Sequence, residues 1–351
     1  MLLRDRENLP TFSTIFSMVV ILVALNCCAA DTPPHGCSIA VLVLSSRDHF
    51  AARQRIRMGS SWSNVFFLVG NSPCEVPHEI RKPWTCEAWV GEEATGWVQE
   101  KHDLMEEELQ ACLEKEGAEH RDMVFLPAKD YYRNLPRKLK EAFAWALHST
   151  NATWFVKADD DVLFLDIQRL QRLLCSLDRQ ERTVVGRIHN NASIVREGKN
   201  AELHFRAEEE NAVFPPFPPG SYGYAVSRDV AAAVVEIDGF EYQGEDVSLG
   251  IWLDESPLRG DMTWISHKEF RRDDDTAMPE GGALILGTGR DRGGDDESSF
   301  CPAASATESL EEEFGPSHVL STRAVEGWRS RNWQAISMSM KLEEWREGRL
   351  G

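Results

Sequence analysis

The chain has 351 residues, a formal net charge of -19 and 42% hydrophobic residues. A chain of this length and apolar content can bury the core of one large domain or of two small ones. The excess of acidic residues argues against a nucleic-acid partner, because a phosphate backbone is bound through clustered lysine and arginine side chains.

The first feature in chain order is an uncharged apolar run over residues 11–30, which two arginines precede. Its length suits a membrane-spanning helix. We predict a cytoplasmic tail over 1–10, a transmembrane signal anchor over 11–30 and a short stem over 31–37. A cleaved signal peptide is the alternative, since the small residues Ala29 and Ala30 end the run. Either arrangement places the rest of the chain in an oxidising compartment, where the cysteines beyond the run can form disulfides.

Continuous apolar runs of strand length follow at 38–44, 65–69, 123–126, 154–157 and 183–186. Between them, apolar residues at helical spacing predict helices over 135–147 and 167–177, the second with Asp166 as its N-cap. A further helix is predicted over 230–237, behind Ser227. Apolar strands that alternate with helices predict an α/β fold with a central, mostly parallel sheet flanked by helices.

Two segments are predicted to lie outside the regular elements. The prolines of 214–220 have no backbone N–H to donate, so this segment is predicted to be a loop. Residues 271–299 are rich in Asp, Gly and Arg and show little periodicity, which predicts a long loop or a flexible insertion.

The candidate chemical centre is the acidic triplet Asp159, Asp160 and Asp161, which follows a predicted strand. Ligands of open α/β sheets bind where strands end. Adjacent carboxylates repel one another unless a cation compensates them, and a hard divalent metal is the natural candidate. Such a metal can bridge a diphosphate and neutralise charge on a departing nucleotide. A second triplet, at 273–275, follows no strand and is interpreted as a solvated loop.

The triplet belongs to a set of motifs spaced along the chain: KADDD at 157–161, RQRIR at 53–57, DYYRNLPRK at 130–138, GYAVS at 223–227 and GEDVSLGIWL at 244–253. Together they resemble the β-1,3-galactosyltransferase family, whose members have a GT-A fold and invert the anomeric centre. The resemblance spans about 38–328, so we predict a lumenal glycosyltransferase domain over 38–328 and a C-terminal segment over 329–351. Within the family, KADDD and EDVSLG are most similar to the galactosyltransferase that adds the second galactose of the glycosaminoglycan linker. The chain departs from the family pattern at Trp62, which lies later than usual, and at Ser221 and Tyr222, which stand where glycines are usual.

The resemblance implies a metal site. Asp161 is expected to be the main carboxylate ligand and His318 the second protein ligand, a pairing that suits Mn²⁺. Asp159 and Asp160 are expected to contact the ribose or the metal shell. His318 considered alone is also compatible with an ordinary loop histidine.

The resemblance also implies a catalytic base, Asp246, which would take the proton from the acceptor hydroxyl. A first-turn acid of the following helix is the structural alternative for Asp246, and the two roles are compatible. Arg53 and Arg57 are candidates to face the uridine diphosphate, and Lys138 and Lys157 are candidates to balance the carboxylates. Exposed salt bridges would use the same four cationic residues.

The sequence therefore predicts a Mn²⁺-dependent inverting enzyme that transfers galactose from UDP-galactose in β-1,3 linkage to a glycan or glycoprotein acceptor. Its predicted location is the Golgi membrane, as a single-pass type II protein anchored through 11–30 with a lumenal catalytic domain. N-acetylglucosamine and glucose are the alternative donor sugars. Two alternatives come from other classes: a catalytically silent lumenal glycan-binding protein, and a metal-dependent hydrolase, for which no H-E-x-x-H motif is found.

Overall fold

The structure, a computed structural model, describes residues 36–59, 64–164 and 166–272 together with the strand Ile285–Gly287. The predicted anchor at 11–30, the second acidic triplet, His318 and the C-terminal segment lie outside these residues. Within the described ranges, no helix is both long enough and apolar enough to cross a membrane.

Among the described residues, ten strands form two sheets. The strands are β1 (Ile39–Leu44), β2 (Val65–Ser72), β3 (Met123–Lys129), β4 (Trp154–Asp159), β5 (Val162–Phe164), β6 (Thr183–Gly186), β7 (Tyr224–Ser227), β8 (Thr263–Ser266), β9 (Phe270–Arg272) and β10 (Ile285–Gly287). The larger sheet has seven strands in the order β3-β2-β1-β4-β7-β6-β8. Strands β3, β2, β1 and β4 run parallel, β7 runs antiparallel to both of its neighbours, and β8 pairs in parallel with β6. The predicted α/β fold with a mostly parallel central sheet is confirmed.

Helices cover both faces of this sheet. They are α1 (Phe50–Gly59), α2 (Gly96–His120), α3 (Leu135–Ser149), α4 (Ile167–Cys175), α5 (Arg228–Glu236) and α6 (Glu245–Glu255). Leu42 of β1 packs in one hydrophobic cluster with α3, α5 and α6, whereas Val41 and Val43 pack in a second cluster with α1 and α4. Because both faces of the strands are buried, their sequences are continuous apolar runs.

The second sheet has three strands in the order β5-β10-β9. The prediction of a long loop or a flexible insertion over 271–299 did not include the end of β9 or the strand β10. Both strands are only three residues long. Strand β9 pairs with β10, and β10 also pairs with β5, which lies far away along the chain. No local periodicity therefore indicates them.

Helix α2 was not predicted, because its buried face is not apolar throughout. Its buried residues include Val98 and Leu113 but also Glu116, whose carboxylate binds two arginines of α1. The predicted N-cap of α4, in contrast, is confirmed. The Asp166 side chain accepts a hydrogen bond of 2.8 Å from the N–H of Arg169.

Disulfides fix two regions of the described chain. Cys37 is bonded to Cys175, which joins the residues before β1 to the end of α4, and Cys74 is bonded to Cys86 within a loop that follows β2. Cys112 is also disulfide-bonded. Such bonds form and persist in oxidising compartments.

Candidate active site

The acidic triplet lies at the carboxyl edge of the parallel strands. Asp159 is the last residue of β4 and is in register with Leu44, the last residue of β1. The loop that begins at Ser45 is therefore beside the triplet. This is the sheet edge at which open α/β folds bind ligands.

The three carboxylates have different surroundings. Asp159 accepts a hydrogen bond of 2.6 Å from Lys157. Asp160 accepts hydrogen bonds from Ser45 at 2.7 Å and from His49 Nδ1 at 2.8 Å. The Oδ1 atom of Asp161 is buried and has no hydrogen-bond partner among the described residues. Two of the carboxylates are thus held by side chains of the protein, whereas Asp161 keeps one oxygen without a partner among the described residues.

Asp161 also differs from an ordinary aspartate in its pKa. Burial and the neighbouring Asp159 and Asp160 charges raise the pKa of Asp161 to about 6. A buried, unpartnered oxygen next to two further carboxylates is the type of donor set that a hard divalent cation compensates. The residues present at the triplet therefore fit a metal that is held through Asp161.

The triplet is not by itself a complete metal cage. Within the described ranges, the only three potential ligand side chains close enough together to share an ion are Cys74, Glu75 and Cys86. The two cysteines of that group are disulfide-bonded to each other, so the group is not a metal site. A metal at Asp161 needs further oxygen or nitrogen ligands, which phosphate groups of a donor and His318 would supply. The role of His318 stays a prediction.

Asp246 lies in the first turn of α6 and is oriented by backbone donors. Its Oδ2 accepts from the N–H of Gly220 at 2.9 Å, and its Oδ1 accepts from the N–H of Val247 at 2.8 Å. Burial raises the pKa of Asp246, while these two N–H groups act in the opposite direction. The residue is thus a first-turn acid of the helix and also a partly buried carboxylate fixed in one orientation.

Lys157 connects the triplet to Asp246. Its side chain is fully buried, and its ammonium group bonds both to Asp159 and to Glu245, the residue before Asp246. Burial alone would lower the pKa of Lys157, but the carboxylates of Asp159 and Glu245 hold it above its ordinary value. A charged lysine therefore joins the end of β4 to the start of α6.

Gly220 is required by this close packing, and the sequence patterns did not identify it. A Cβ atom at Gly220 would overlap Oε1 of Glu245 and lie 2.7 Å from Nζ of Lys157. The N–H of the same residue donates to Asp246. The backbone of Gly220 thus approaches the carboxylates more closely than any residue with a side chain allows.

Two rings lie near Asp246. The pKa of Tyr132 is raised by burial and by the charges of Glu245 and Asp246. The pKa of His189 is lowered by burial and by Arg187, with Asp246 acting in the opposite direction. Tyr132 belongs to the motif at 130–138, but His189 carries no sequence signal.

His49 is a cationic group of the site that no sequence pattern indicated. Burial would lower its pKa, but the hydrogen bond and charge of Asp160 raise that pKa to about 9. His49 is therefore protonated at neutral pH and carries a positive charge beside Asp160. Nothing in the sequence marks this histidine, because it lies in a loop and its partner is far away along the chain.

The two arginines predicted to face the uridine diphosphate bind carboxylates of the chain instead. Arg53 is fully buried and bonds to Glu116 at 2.8 Å and to Ser45 at 3.0 Å. Arg57 bonds to Glu116 at 2.6 Å and to Asp122 at 2.8 Å. Arg53 thus supports the Ser45 loop that holds the triplet, and Arg57 anchors α1 to α2 and to the start of β3.

The direct contacts of Lys138 also differ from the predicted ones. The sequence predicted that it balances the triplet, whereas its ammonium group bonds to Asp130 at 2.8 Å and to the carbonyl oxygen of Ser45 at 2.7 Å. It acts on Asp160 only through space. Its direct structural effect is to hold the loop that lines the triplet.

Most of the candidate site lies within a stretch of sequence that matches a known family. The sequence model of the family described as Galactosyltransferase matches residues 78–259, which include the triplet, Lys157 and Asp246. The chain belongs to the galactosyltransferase family. Members of this family to which the chain is similar are named as β-1,3-glycosyltransferases.

Individual members of the family show how far the similarity extends. The chain is 34% identical over 168 residues to UDP-GalNAc:beta-1,3-N-acetylgalactosaminyltransferase 2 of Xenopus laevis, a match that covers 46% of this chain and 33% of that protein. It is 32% identical over 166 residues to the Homo sapiens protein of the same name, covering 46% of this chain and 32% of that protein. It is 30% identical over 184 residues to Beta-1,3-galactosyltransferase 5 of Mus musculus, covering 51% of this chain and 59% of that protein. The chain thus spans about a third of the length of the N-acetylgalactosaminyltransferases that it matches.

Proposed function

We propose that the protein is a metal-dependent, inverting β-1,3-glycosyltransferase that moves a sugar from a UDP-sugar to a hydroxyl group of a glycan. The observation that carries this proposal is the link between two carboxylate groups. Lys157 joins Asp159 of the triplet to Glu245, and the adjacent Asp246 is fixed by two backbone N–H groups. A candidate donor site and a candidate base are thereby held in one rigid unit.

The triplet is the proposed donor side. Asp161 would hold a divalent cation, for which we propose Mn²⁺, with His318 as the second protein ligand. The cation would act as a Lewis acid that neutralises charge on the departing diphosphate. Asp160 accepts from Ser45 and His49 through Oδ2, and its Oδ1 is proposed to contact the ribose or the metal shell.

Asp246 is the proposed general base. As the acceptor oxygen forms its bond to the anomeric carbon, the bond from that carbon to the UDP oxygen breaks and its electron pair leaves with UDP. Asp246 takes the proton of the acceptor hydroxyl, and the single displacement inverts the anomeric centre. Burial raises the pKa of Asp246, which makes its carboxylate a stronger base than an exposed aspartate.

Galactose is the first candidate for the donor sugar, and N-acetylgalactosamine is the second. Relatives are named for each of these two sugars, which share an axial hydroxyl at C4. N-acetylglucosamine and glucose differ from them at this position and are the remaining alternatives. A proteoglycan-linker galactose is one proposed acceptor.

We also propose the lumenal side of the Golgi membrane as the location, with residues 11–30 as the anchor. The disulfides Cys37–Cys175 and Cys74–Cys86 support an oxidising compartment.

UDP release by the purified full-length chain tests the proposal. The assay compares UDP-galactose, UDP-N-acetylgalactosamine, UDP-N-acetylglucosamine and UDP-glucose, with and without β-galactoside acceptors, in Mn²⁺ or in chelator. We expect acceptor-stimulated release from a galacto-configured donor that chelator abolishes and Mn²⁺ restores. Release that no acceptor stimulates would favour a hydrolase, and no release by a folded chain would favour a silent glycan-binding protein.

The variant Asp246→Asn in the same assay tests the base. It keeps the size of the side chain but cannot accept the proton, so we expect kcat to fall by about 10²- to 10⁴-fold. UDP binding, measured by calorimetry, should remain. Glu255→Gln is the matched control, because Glu255 is an exposed residue of the same helix. Normal turnover by Asp246→Asn would remove Asp246 from this role.

A further inference from the structure

Trp84 has an unusual combination of backbone conformation and exposure. Its φ angle is 64°, in the left-handed region that bulky residues rarely adopt, and 42% of the residue is exposed to solvent. Such a conformation is energetically unfavourable and persists only where the surrounding structure enforces it. Among the described residues, Trp84 does not belong to any of the hydrophobic core clusters.

The loop around Trp84 is held from several sides. The disulfide Cys74–Cys86 closes it, and the N–H of Lys82 donates to the carbonyl oxygen of Glu87 at 2.8 Å. The carbonyl oxygen of Trp84 itself accepts from the N–H of Arg133 at 3.0 Å. The position of Trp84 is therefore fixed relative to the turn that contains Arg133.

That turn lies beside the candidate active site. Arg133 follows Tyr132, and the ammonium group of Lys199 lies 4.6 Å from the centroid of the Tyr132 ring. The carbonyl oxygen of Lys199 accepts at 3.0 Å from Gln243, which comes just before the first turn of α6. Burial and the charges of Glu245 and Asp246 raise the pKa of Tyr132. On its other side the turn contacts a second loop, because Tyr132 donates to Asn200 at 3.1 Å. The turn thus lies between the Trp84 loop and the Asn200 loop, next to the carboxylate proposed as the base.

We infer that Trp84 forms an aromatic subsite for the acceptor glycan, where it packs against a sugar beyond the one that carries the reacting hydroxyl. A pyranose ring has an apolar C–H face and a polar rim. An indole ring offers a rigid apolar face at small entropic cost, together with one N–H donor. The ligand class that fits is an oligosaccharide of at least two sugars. This inference rests on the proposed transferase function.

The test compares a disaccharide with a monosaccharide acceptor, namely a β-galactosyl disaccharide and methyl β-galactoside. Trp84→Gly removes the ring and suits the positive φ angle, so the loop should keep its fold. We expect this variant to raise KM for the disaccharide about tenfold and to leave KM for the monosaccharide within about twofold. Trp84→Phe should recover most of the loss because it keeps an aromatic face. Trp89→Ala is the matched control, since Trp89 is an exposed tryptophan of the same region, 53% accessible.

A direct binding measurement separates this inference from the proposed function. Saturation-transfer NMR of the disaccharide with the full-length chain reports contact with or without turnover. Loss of the saturation signal in Trp84→Gly but not in Trp89→Ala supports the subsite even for a chain that releases no UDP. Equal KM changes for both acceptors, or an unchanged saturation signal in Trp84→Gly, would overturn it.

Discussion

The candidate site contains several aspartates whose surroundings give them different properties. Asp160 is hydrogen-bonded by Ser45 and by a protonated His49, whereas Asp161 has a buried oxygen without a partner among the described residues. Asp246 is fixed by backbone N–H groups. One residue type is thus suited to three roles, because solvation and hydrogen bonding decide what each carboxylate can do.

Gly220→Ala tests the close approach of the backbone to these carboxylates. A methyl group at this position would overlap both Glu245 and Lys157, so one of the two must move. We expect a loss of about 1–3 kcal/mol in the free energy of unfolding, together with reduced transfer. Urea unfolding and UDP release measure the two effects.

Gly260→Ala is the control for that variant, because no atom of the described residues lies within 4 Å of a Cβ built at Gly260. If Gly220→Ala were as stable and as active as this control, the packing of Glu245 against Lys157 would not require a glycine.

At the scale of the elements, two contacts between secondary-structure elements are formed by buried ion pairs and not by apolar side chains. Helix α2 holds α1 through Glu116, which binds both Arg53 and Arg57. The link between β4 and α6 likewise passes through the buried Lys157. Because removing one partner leaves an uncompensated buried charge, such contacts are sensitive to single substitutions.

The cap of α4 provides a test at this scale. Asp166→Ala removes the side chain that accepts from the N–H of Arg169 and leaves that donor without its cap. We expect the free energy of unfolding to fall by about 0.5–2 kcal/mol, as measured by urea titration. Asp178→Ala changes an exposed residue beyond the same helix and should have a smaller effect. Equal effects of the two substitutions would argue against the cap.

At the scale of the whole molecule, the sheet brings distant parts of the chain to one site. The parallel β1 and β4 end at the same edge, and β7 returns antiparallel beside β4. The turn at Gly220 precedes β7, and α6 follows later with Glu245 and Asp246 in its first turn. The triplet and Asp246 are far apart in sequence, but they are joined through one lysine.

The two identified disulfides should differ in what they contribute to stability. Cys37 and Cys175 are separated by 138 residues, whereas Cys74 and Cys86 are separated by 12. Because a longer closed loop restricts the unfolded chain more, we expect replacement of the first pair by alanines to cost about 2 kcal/mol more than replacement of the second. Thermal unfolding of the two double variants measures this. A larger loss from the Cys74–Cys86 pair would show that native-state contacts, and not loop closure, dominate.

The α/β class, the main strands, helices α3 to α5 and the family all followed from the sequence alone. These features depend on local periodicity, on caps such as Asp166 and on motifs of contiguous residues, which are readable without the fold. The acidic triplet was singled out because it follows a predicted strand, and Asp246 because its motif resembles that of the family.

Which groups meet one another could be learned only from the folded chain. Folding placed His49 beside Asp160, paired Arg53, Arg57 and Lys138 with structural carboxylates, and required a glycine at position 220. It also formed β9 and β10 across a segment predicted to be a loop. The physical reason is that ion pairs, close backbone contacts and short strands depend on partners far away in sequence, which no local pattern records.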